Sequence, residues 1–126
     1  MARPVHFEIH ASNPASVVAF YEEVFGWKMT HLPEMHYWLI DTGTGEGING
    51  GLLQRHGPKP ADDSPVSAFV CSIGIPSVDE YVDRATKAGA TVALPKMAIP
   101  GIGFQAYIKD PDGNVLGLHQ PDRSAK

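Results

Sequence analysis

Three ionisable side chains alternate near the N-terminus, at His6, Glu8 and His10 of the strand-like segment Val5–His10. Successive residues of a strand point to opposite faces, so these three share one face. A histidine beside a carboxylate is suited to proton transfer. We therefore predict that His6 and Glu8 are catalytic and contact a bound substrate. The alternative is structural: a neutral core histidine, and a carboxylate held in an internal ion pair because an unpaired buried charge is unfavourable.

Further substrate contacts are predicted on other strand-like segments. Trp38 and Tyr37 occupy opposite faces of one strand, so only one of them faces a cavity. Phe104 and Tyr107 oppose each other in the same way. Aromatic rings lining a cavity suit a planar apolar ligand, whereas packing in the core is their ordinary role in strands. The predicted substrate-binding set is His6, Glu8, Trp38, Gln54, Phe104, Tyr107 and His119.

The first half of the chain, residues 3–56, has the pattern of a βαβββ module. Asn13 is predicted to be the N-cap of its helix, Pro14 suits the first helical position, and Gly26 suits a left-handed C-terminal turn. Apolar residues recur at helical spacing between these ends. The strand-like segments of this half are Val5–His10, Lys28–Leu32, Tyr37–Thr42 and Ile48–Gln54.

The second half, residues 66–121, repeats this order after a linker at residues 57–65 that holds three prolines. Ser77 and Glu80 form a capping box, in which each side chain can accept from a backbone amide at the helix start. Gly89 is predicted to end that helix. The strand-like segments are Val66–Ile75, Thr91–Leu94, Phe104–Lys109 and Val115–Gln120.

Composition predicts one packed domain over residues 1–126, with 43% hydrophobic residues. The net charge of −4 argues against nucleic acid or an anionic membrane as a partner. No apolar run approaches the roughly 20 residues that span a bilayer. The strand pattern begins almost at the N-terminus, so no signal peptide is expected and a cytoplasmic location is predicted. The lone cysteine, Cys71, lies in an apolar run and is predicted to be a buried, inert thiol.

Two segments carry a resemblance to a known family. They are Phe20–Trp27, with the order Phe-Tyr-Glu-Glu-Val-Phe-Gly-Trp, and the turn Asp110–Asn114, with the order Asp-Pro-Asp-Gly-Asn. The chain resembles the vicinal oxygen chelate (VOC) superfamily of glyoxalase, bleomycin-resistance and dioxygenase proteins, and most of all its lactoylglutathione-lyase-related branch. The resemblance implies an α+β fold in which two βαβββ modules form a curved, mixed, eight-stranded half-barrel with the helices outside. It also implies a homodimer.

The resemblance raises the question of a metal. Metalloenzymes of the superfamily take ligands from the first and last strands of each half. The matching first-strand positions here are His6 and Val70, the last strand of the first half offers no acid, and the last strand of the second half offers Gly117. No cofactor is therefore expected, and a divalent metal is the alternative. Convergence of His6, Glu8 and His119 would create a non-standard site with two histidines and one carboxylate.

Three functions remain open from the sequence. The leading prediction is a protein that binds a small organic molecule in the cavity of its curved sheet without the usual metal, either to sequester it or to transfer protons through Glu8 and a histidine. The second is a glyoxalase-like or dioxygenase-like metalloenzyme with His6 as one ligand. The third is a non-catalytic module that docks a partner protein.

Overall fold

The computed structural model describes residues 2–126, which divide into two compact units. The first unit extends to Lys59, and the second is Pro60–Lys126. Each contains one helix and a four-stranded mixed sheet, in the order βαβββ. The predicted α+β fold with two βαβββ modules is therefore confirmed. None of the helices in the described part of the chain has the length and apolar character needed to cross a membrane.

In the first unit, the sheet has the strand order β1-β4-β3-β2. Its first strand is parallel to its last, and the other neighbours are antiparallel. A short 3-10 turn, Pro33–Met35, links β2 to β3. The elements are β1 (His6–Ala11), α1 (Pro14–Phe25), β2 (Lys28–Leu32), β3 (Tyr37–Asp41) and β4 (Asn49–Gln54).

The second unit repeats this topology, with the strand order β5-β8-β7-β6 and a parallel pair between its first and last strands. The elements are β5 (Ser72–Gly74), α2 (Val78–Lys87), β6 (Thr91–Ile99), β7 (Gly103–Lys109) and β8 (Val115–Pro121). In both units the first strand lies at one edge of the sheet, with the last strand beside it.

The helix ends follow from local chemistry. Helix α1 begins at Pro14, and Asn13 precedes it without a side-chain capping bond. It ends at Phe25, and the following Gly26 has a left-handed φ of 70° and an N–H that donates to the Glu22 carbonyl at 2.9 Å. At the start of α2, the Ser77 hydroxyl accepts from the Glu80 amide at 3.2 Å, as the capping-box motif predicts.

The turn Asp110–Asn114 closes the hairpin between β7 and β8. The Asp110 carboxylate accepts from the Asp112 amide at 2.9 Å and from the Asn114 amide at 3.0 Å. Gly113 has a φ of 88°, a left-handed conformation that glycine adopts without a steric penalty. The turn thereby fixes the register of the two strands, in which Lys109 is opposite Val115 and Gly103 is opposite Pro121. The register in turn determines the face on which each side chain of these strands lies.

One face of each sheet packs against its helix. In the first unit, Ile40 and Leu52 are buried together with the α1 stripe of Val17, Phe20, Tyr21 and Val24. In the second, the buried residues are Val78 and Ala85 of α2 with Ala106, Ile108 and Leu118 of the sheet. The opposite face of each sheet is left without a helix of its own unit, and most of the predicted site residues lie there.

The predicted strand Val66–Ile75 is shorter than expected. Only Ser72–Gly74 forms a strand, because β8 pairs with these three residues and a strand needs a hydrogen-bonded neighbour. Phe69 before it is fully exposed. Cys71 is exposed too, so the prediction of a buried thiol is wrong. Strand β6 is longer than predicted, and irregularities in its register on both sides of Leu94 accommodate Pro95 on this edge strand.

Candidate functional site

Three polar side chains meet on the helix-free face of the first sheet. The His6 Nε2 atom lies 2.9 Å from the Tyr37 hydroxyl oxygen, and that hydroxyl donates to the Glu8 carboxylate at 3.2 Å. Both His6 and Glu8 are exposed, and Tyr37 is half-buried. The structure therefore brings the two predicted catalytic residues together, joined by a tyrosine that the predicted set did not include. We call His6, Tyr37 and Glu8 the polar triad.

The hydrogen bonds of the polar triad favour one histidine tautomer. A tyrosine hydroxyl has one proton, and in Tyr37 that proton is directed to Glu8. The bond between His6 Nε2 and the Tyr37 oxygen then requires the proton to be on Nε2. In the neutral ring, Nδ1 is left with a lone pair that can accept a hydrogen bond or a proton.

Gly51 makes room for the tyrosine. It is opposite Glu8 in the parallel pair of β1 with β4, and Tyr37 is opposite Leu53, two residues further along β4. The Tyr37 ring reaches across Gly51 towards Glu8, so a Cβ atom built on Gly51 would overlap the Tyr37 hydroxyl and ring. The absence of a side chain at position 51 is thus a condition for the polar triad.

Burial of the phenol raises the pKa of Tyr37 above its usual value of 10.0. The hydrogen bond to Glu8 and the negative charge of Glu8 act in the same direction, because both favour the protonated phenol. Near neutral pH, Tyr37 is therefore a hydroxyl that donates to the carboxylate.

This shift predicts a difference between Tyr37 and a free phenol in a spectrophotometric titration. The tyrosinate absorbance that is lost in Tyr37→Phe should develop above pH 10.0, and Glu8→Gln should move that step to lower pH because the negative charge is gone, although the amide oxygen can still accept from the phenol. Since the folded-state pKa is raised, the stability contributed by the protonated phenol is complete below pH 10.0 and is lost as the pH rises through the folded-state pKa. A step at or below pH 10.0 in the unmodified protein would contradict the assignment.

The second unit has a hydrogen-bonded chain at the equivalent place. The buried Gln105 side chain bonds to the Ser72 hydroxyl at 2.9 Å and to His119 Nδ1 at 2.9 Å. A Cβ atom on Gly117 would overlap the Ser72 hydroxyl and lie 2.6 Å from the Gln105 amide nitrogen and 3.2 Å from the Tyr107 ring. Predicted contacts His119 and Tyr107 therefore share one face of this sheet.

The two arrangements are equivalent by strand register. Glu8 is opposite Gly51 in the first unit, as Ser72 is opposite Gly117 in the second. In both, a glycine of the last strand is covered by a side chain from the neighbouring strand, Tyr37 or Gln105, which bonds to the first-strand residue. The duplicated fold thus repeats a polar bridge over a glycine.

The other predicted contacts lie on the opposite, helix-covered faces. Trp38 is opposite the buried Leu52, and its ring stacks on His31 at 4.2 Å between centroids. The Gln54 amide donates to the Ser12 carbonyl at 3.0 Å. Phe104 alternates with Gln105, and its ring lies 4.7 Å from the Lys96 ammonium nitrogen. The structure does not bring these three to the faces that carry the hydrogen-bonded chains.

Comparison with known proteins establishes the family. The sequence profile of the Glyoxalase/Bleomycin resistance protein/Dioxygenase superfamily matches residues 3–118. The chain belongs to this superfamily. The matched range contains both helices, strands β1–β7 and the part of β8 up to Leu118. The VOC resemblance predicted from the two motifs is confirmed at the level of the superfamily.

The curated relatives are distant. The chain is similar to virulence protein STM3117 of Salmonella typhimurium, with 25% identity over 118 residues that cover 91% of this chain and 81% of the relative. It is also 25% identical over 126 residues to the putative glyoxylase CFP32 of Mycobacterium bovis, covering 95% of this chain and 46% of that protein. The chain thus spans less than half the length of the mycobacterial relative.

Solved structures of the superfamily share the fold. A fosfomycin resistance protein, FosX, of Listeria monocytogenes, solved as a point mutant with Mn(II) and 1S,2S-dihydroxypropylphosphonic acid, has a TM-score of 0.75 at 18% identity, over 97% of this chain and 92% of that one. A superfamily enzyme from Burkholderia phytofirmans PsJN has a TM-score of 0.71 at 21% identity, over 93% and 97%.

Few of the positions that match the metal ligands of the superfamily have a donor side chain here. Within residues 2–126, no group of three or more His, Cys, Asp or Glu side chains is arranged to hold a metal ion. Of the positions that match the family ligands, Val70 and Gly117 have no donor side chain. The space beside Gly117 holds the Ser72 and Gln105 side chains, and His6 Nε2 is engaged with Tyr37. A catalytic divalent site takes about three protein ligands, so a site of the family's kind here would need donors besides His6.

Proposed function

We propose that this protein binds a small organic molecule on the sheet face that carries the polar triad, without the divalent metal typical of its superfamily, and that His6 accepts a proton or a hydrogen bond from that molecule. The observation that carries the proposal is the hydrogen-bonded chain from His6 through Tyr37 to Glu8 on an accessible face. We also propose that the protein is located in the cytoplasm.

The polar triad has the chemistry that a proton acceptor needs. Protonation at His6 Nδ1 creates an imidazolium, and the Glu8 carboxylate at the other end of the chain offsets that charge through the Tyr37 hydroxyl. The Glu8 carboxylate has further acceptor sites for an N–H or O–H group of the ligand. Leu39 shares this face and is 46% exposed, which supplies apolar surface for the rest of the molecule.

The metal-free part of the proposal rests on the ligand positions. Mn(II) is bound in the FosX structure. To bind a metal in the same way, this chain would need donor side chains at positions 70 and 117, which are valine and glycine. The rival function is a glyoxalase-like or dioxygenase-like metalloenzyme with His6 as one ligand. The two functions differ in their response to a chelator.

A screen of small organic compounds by thermal shift tests this function. Compounds that stabilise the unmodified protein should bind about tenfold more weakly to His6→Ala and Glu8→Gln, a loss of about 1.4 kcal/mol each, because the first variant removes the proposed acceptor and the second removes the carboxylate charge. His56→Ala, at an exposed position shortly after β4, is the matched control and should bind normally. Treatment with EDTA should leave the binding of these compounds unchanged.

Two outcomes would reject the proposal. If every stabilising compound binds His6→Ala and Glu8→Gln as well as it binds the control, the polar triad is not the site. If EDTA abolishes binding and Mn(II) or Zn(II) restores it, the metalloenzyme is the better description.

A homodimer is part of the proposed function. Met35 in the first unit, and Met97 and Ile102 in the second, are 40–68% exposed, and none of them is assigned to the bound molecule. A second copy of the chain would cover apolar surface of this kind. Light scattering should therefore give a dimer mass at micromolar concentrations, and a monomer mass throughout that range would contradict the expectation.

A further inference from the structure

The second unit contains a cavity that the proposed function does not use. Its volume is about 440 Å³, within the range of pockets that hold small molecules. All of its lining residues belong to the second unit: Ser64, Val66, Val70, Ala93, Leu94, Tyr107, Lys109 and Val115. His6, Glu8 and Tyr37 are not among them.

The cavity is mainly apolar because of two elements. One wall is the helix-free face of the sheet, where Leu94 is opposite Tyr107 and Val115 is opposite Lys109. The other is the segment before β5, which was predicted as strand and contributes Val66 and Val70. The Lys109 ammonium donates to the Asp62 carbonyl at 2.7 Å and so connects this segment to β7.

Lys109 is the charged group of the cavity. An ammonium has three N–H donors, and the Asp62 carbonyl takes one of them. Lys87 and Lys96 have carboxylate partners in Asp83 and Asp79, whereas the partner of Lys109 is a neutral carbonyl. The nearby Asp62 and Asp63 are exposed, where water screens their charges. A cationic group beside valine and leucine side chains matches a ligand with an anionic head and an apolar body.

We propose that this cavity binds a small amphipathic monocarboxylate, with the carboxylate on Lys109 and the apolar part against Val66, Val70 and Leu94. The ammonium has donors left for a carboxylate oxygen, and charge-assisted bonds of this kind are stronger than neutral ones. The chain would then have two binding surfaces of different chemistry, one in each unit.

Calorimetry with three probes of equal chain length tests the site: octanoate, octanol and octylamine, each titrated into the full chain at low salt. Octanoate should bind about tenfold more tightly than octanol, and octylamine more weakly than either, because only the carboxylate forms a charge-assisted bond with the ammonium. In Lys109→Met, which keeps an unbranched side chain of similar size without its charge, the affinity for octanoate should fall to that for octanol, while the affinity for octanol is unchanged. Lys109→Arg should keep the preference.

Further variants distinguish this site from the polar triad. Leu94→Asn should weaken the binding of both octanoate and octanol, and His6→Ala should leave both affinities unchanged. Equal binding of octanoate and octanol to the unmodified protein, retention of the preference in Lys109→Met, or loss of octanoate binding in His6→Ala would overturn the proposal. The last result would instead place octanoate at the polar triad. If the thermal-shift screen showed no effect of His6→Ala, the proposed function would fail, but the proposal for this cavity would be unaffected.

Discussion

Gly51→Ala is expected to remove most ligand binding at the polar triad while leaving the first unit folded. The new methyl group would occupy the position of the Tyr37 hydroxyl and ring. The obstacle is the outer end of a side chain that can rotate away, so the cost to folding is modest. Displacement of Tyr37 breaks its bonds to both His6 and Glu8. We expect at least a tenfold loss of affinity, about 1.4 kcal/mol or more, for the best compound of the thermal-shift screen.

Two variants isolate the cause of that loss. Tyr37→Phe removes the hydroxyl without adding bulk and should weaken binding to a similar extent. Gly74→Ala is the matched control, because a Cβ atom at this strand glycine of the second unit meets no atom within 4 Å. The tyrosinate step of Tyr37 should also return towards pH 10.0 in Gly51→Ala, because the Glu8 contact is lost. Normal affinity in both Gly51→Ala and Tyr37→Phe would show that the tyrosine does not organise the site.

Gly50→Ala, one residue earlier, is expected to destabilise the protein. A Cβ atom on Gly50 points to the helix-covered face and lies 2.5 Å from the Phe7 carbonyl oxygen and 2.8 Å from two Phe7 ring atoms. Unlike the Tyr37 hydroxyl, a carbonyl of the paired strand cannot move without loss of the β1–β4 pairing. Overpacking of this kind costs about 1–3 kcal/mol.

Urea unfolding of Gly50→Ala, Gly51→Ala and Gly74→Ala provides the comparison. The unfolding free energy should fall most in Gly50→Ala, with the slope against urea unchanged if only stability is affected. A decrease of less than about 0.5 kcal/mol, the range of an ordinary surface substitution, would mean that the first and last strands of the unit can separate easily. Neighbouring glycines would thus have different consequences, stability at position 50 and binding at position 51.

Local chemistry explains which features the sequence predicted well. The left-handed Gly26, the Ser77 cap and the Asp110–Asn114 turn depend on residues within a few positions, so their composition was sufficient. The βαβββ repeat followed from hydrophobic periodicity between such ends.

Features that depend on distant neighbours were harder to predict. Strand alternation places Tyr37 and Trp38 on opposite faces but does not indicate which face the helix covers. The predicted substrate-binding set therefore contains Trp38, which lies on the helix-covered face, and not Tyr37. Gly51 was a signal for the tyrosine, since a residue without a side chain leaves space above it. The apolar run before Ser72 has the composition of a strand, but its pairing depends on β8, which is distant in the chain. For the same reason, Cys71 is exposed.

The polar bridges over Gly51 and Gly117 limit how this scaffold can change by mutation. Any residue larger than glycine at either position must dislodge a hydrogen-bonded neighbour, Tyr37 in one half or Gln105 with Ser72 in the other. A stepwise route to an acidic side chain there therefore passes through a poorly packed form, unless the overlying residue becomes smaller first.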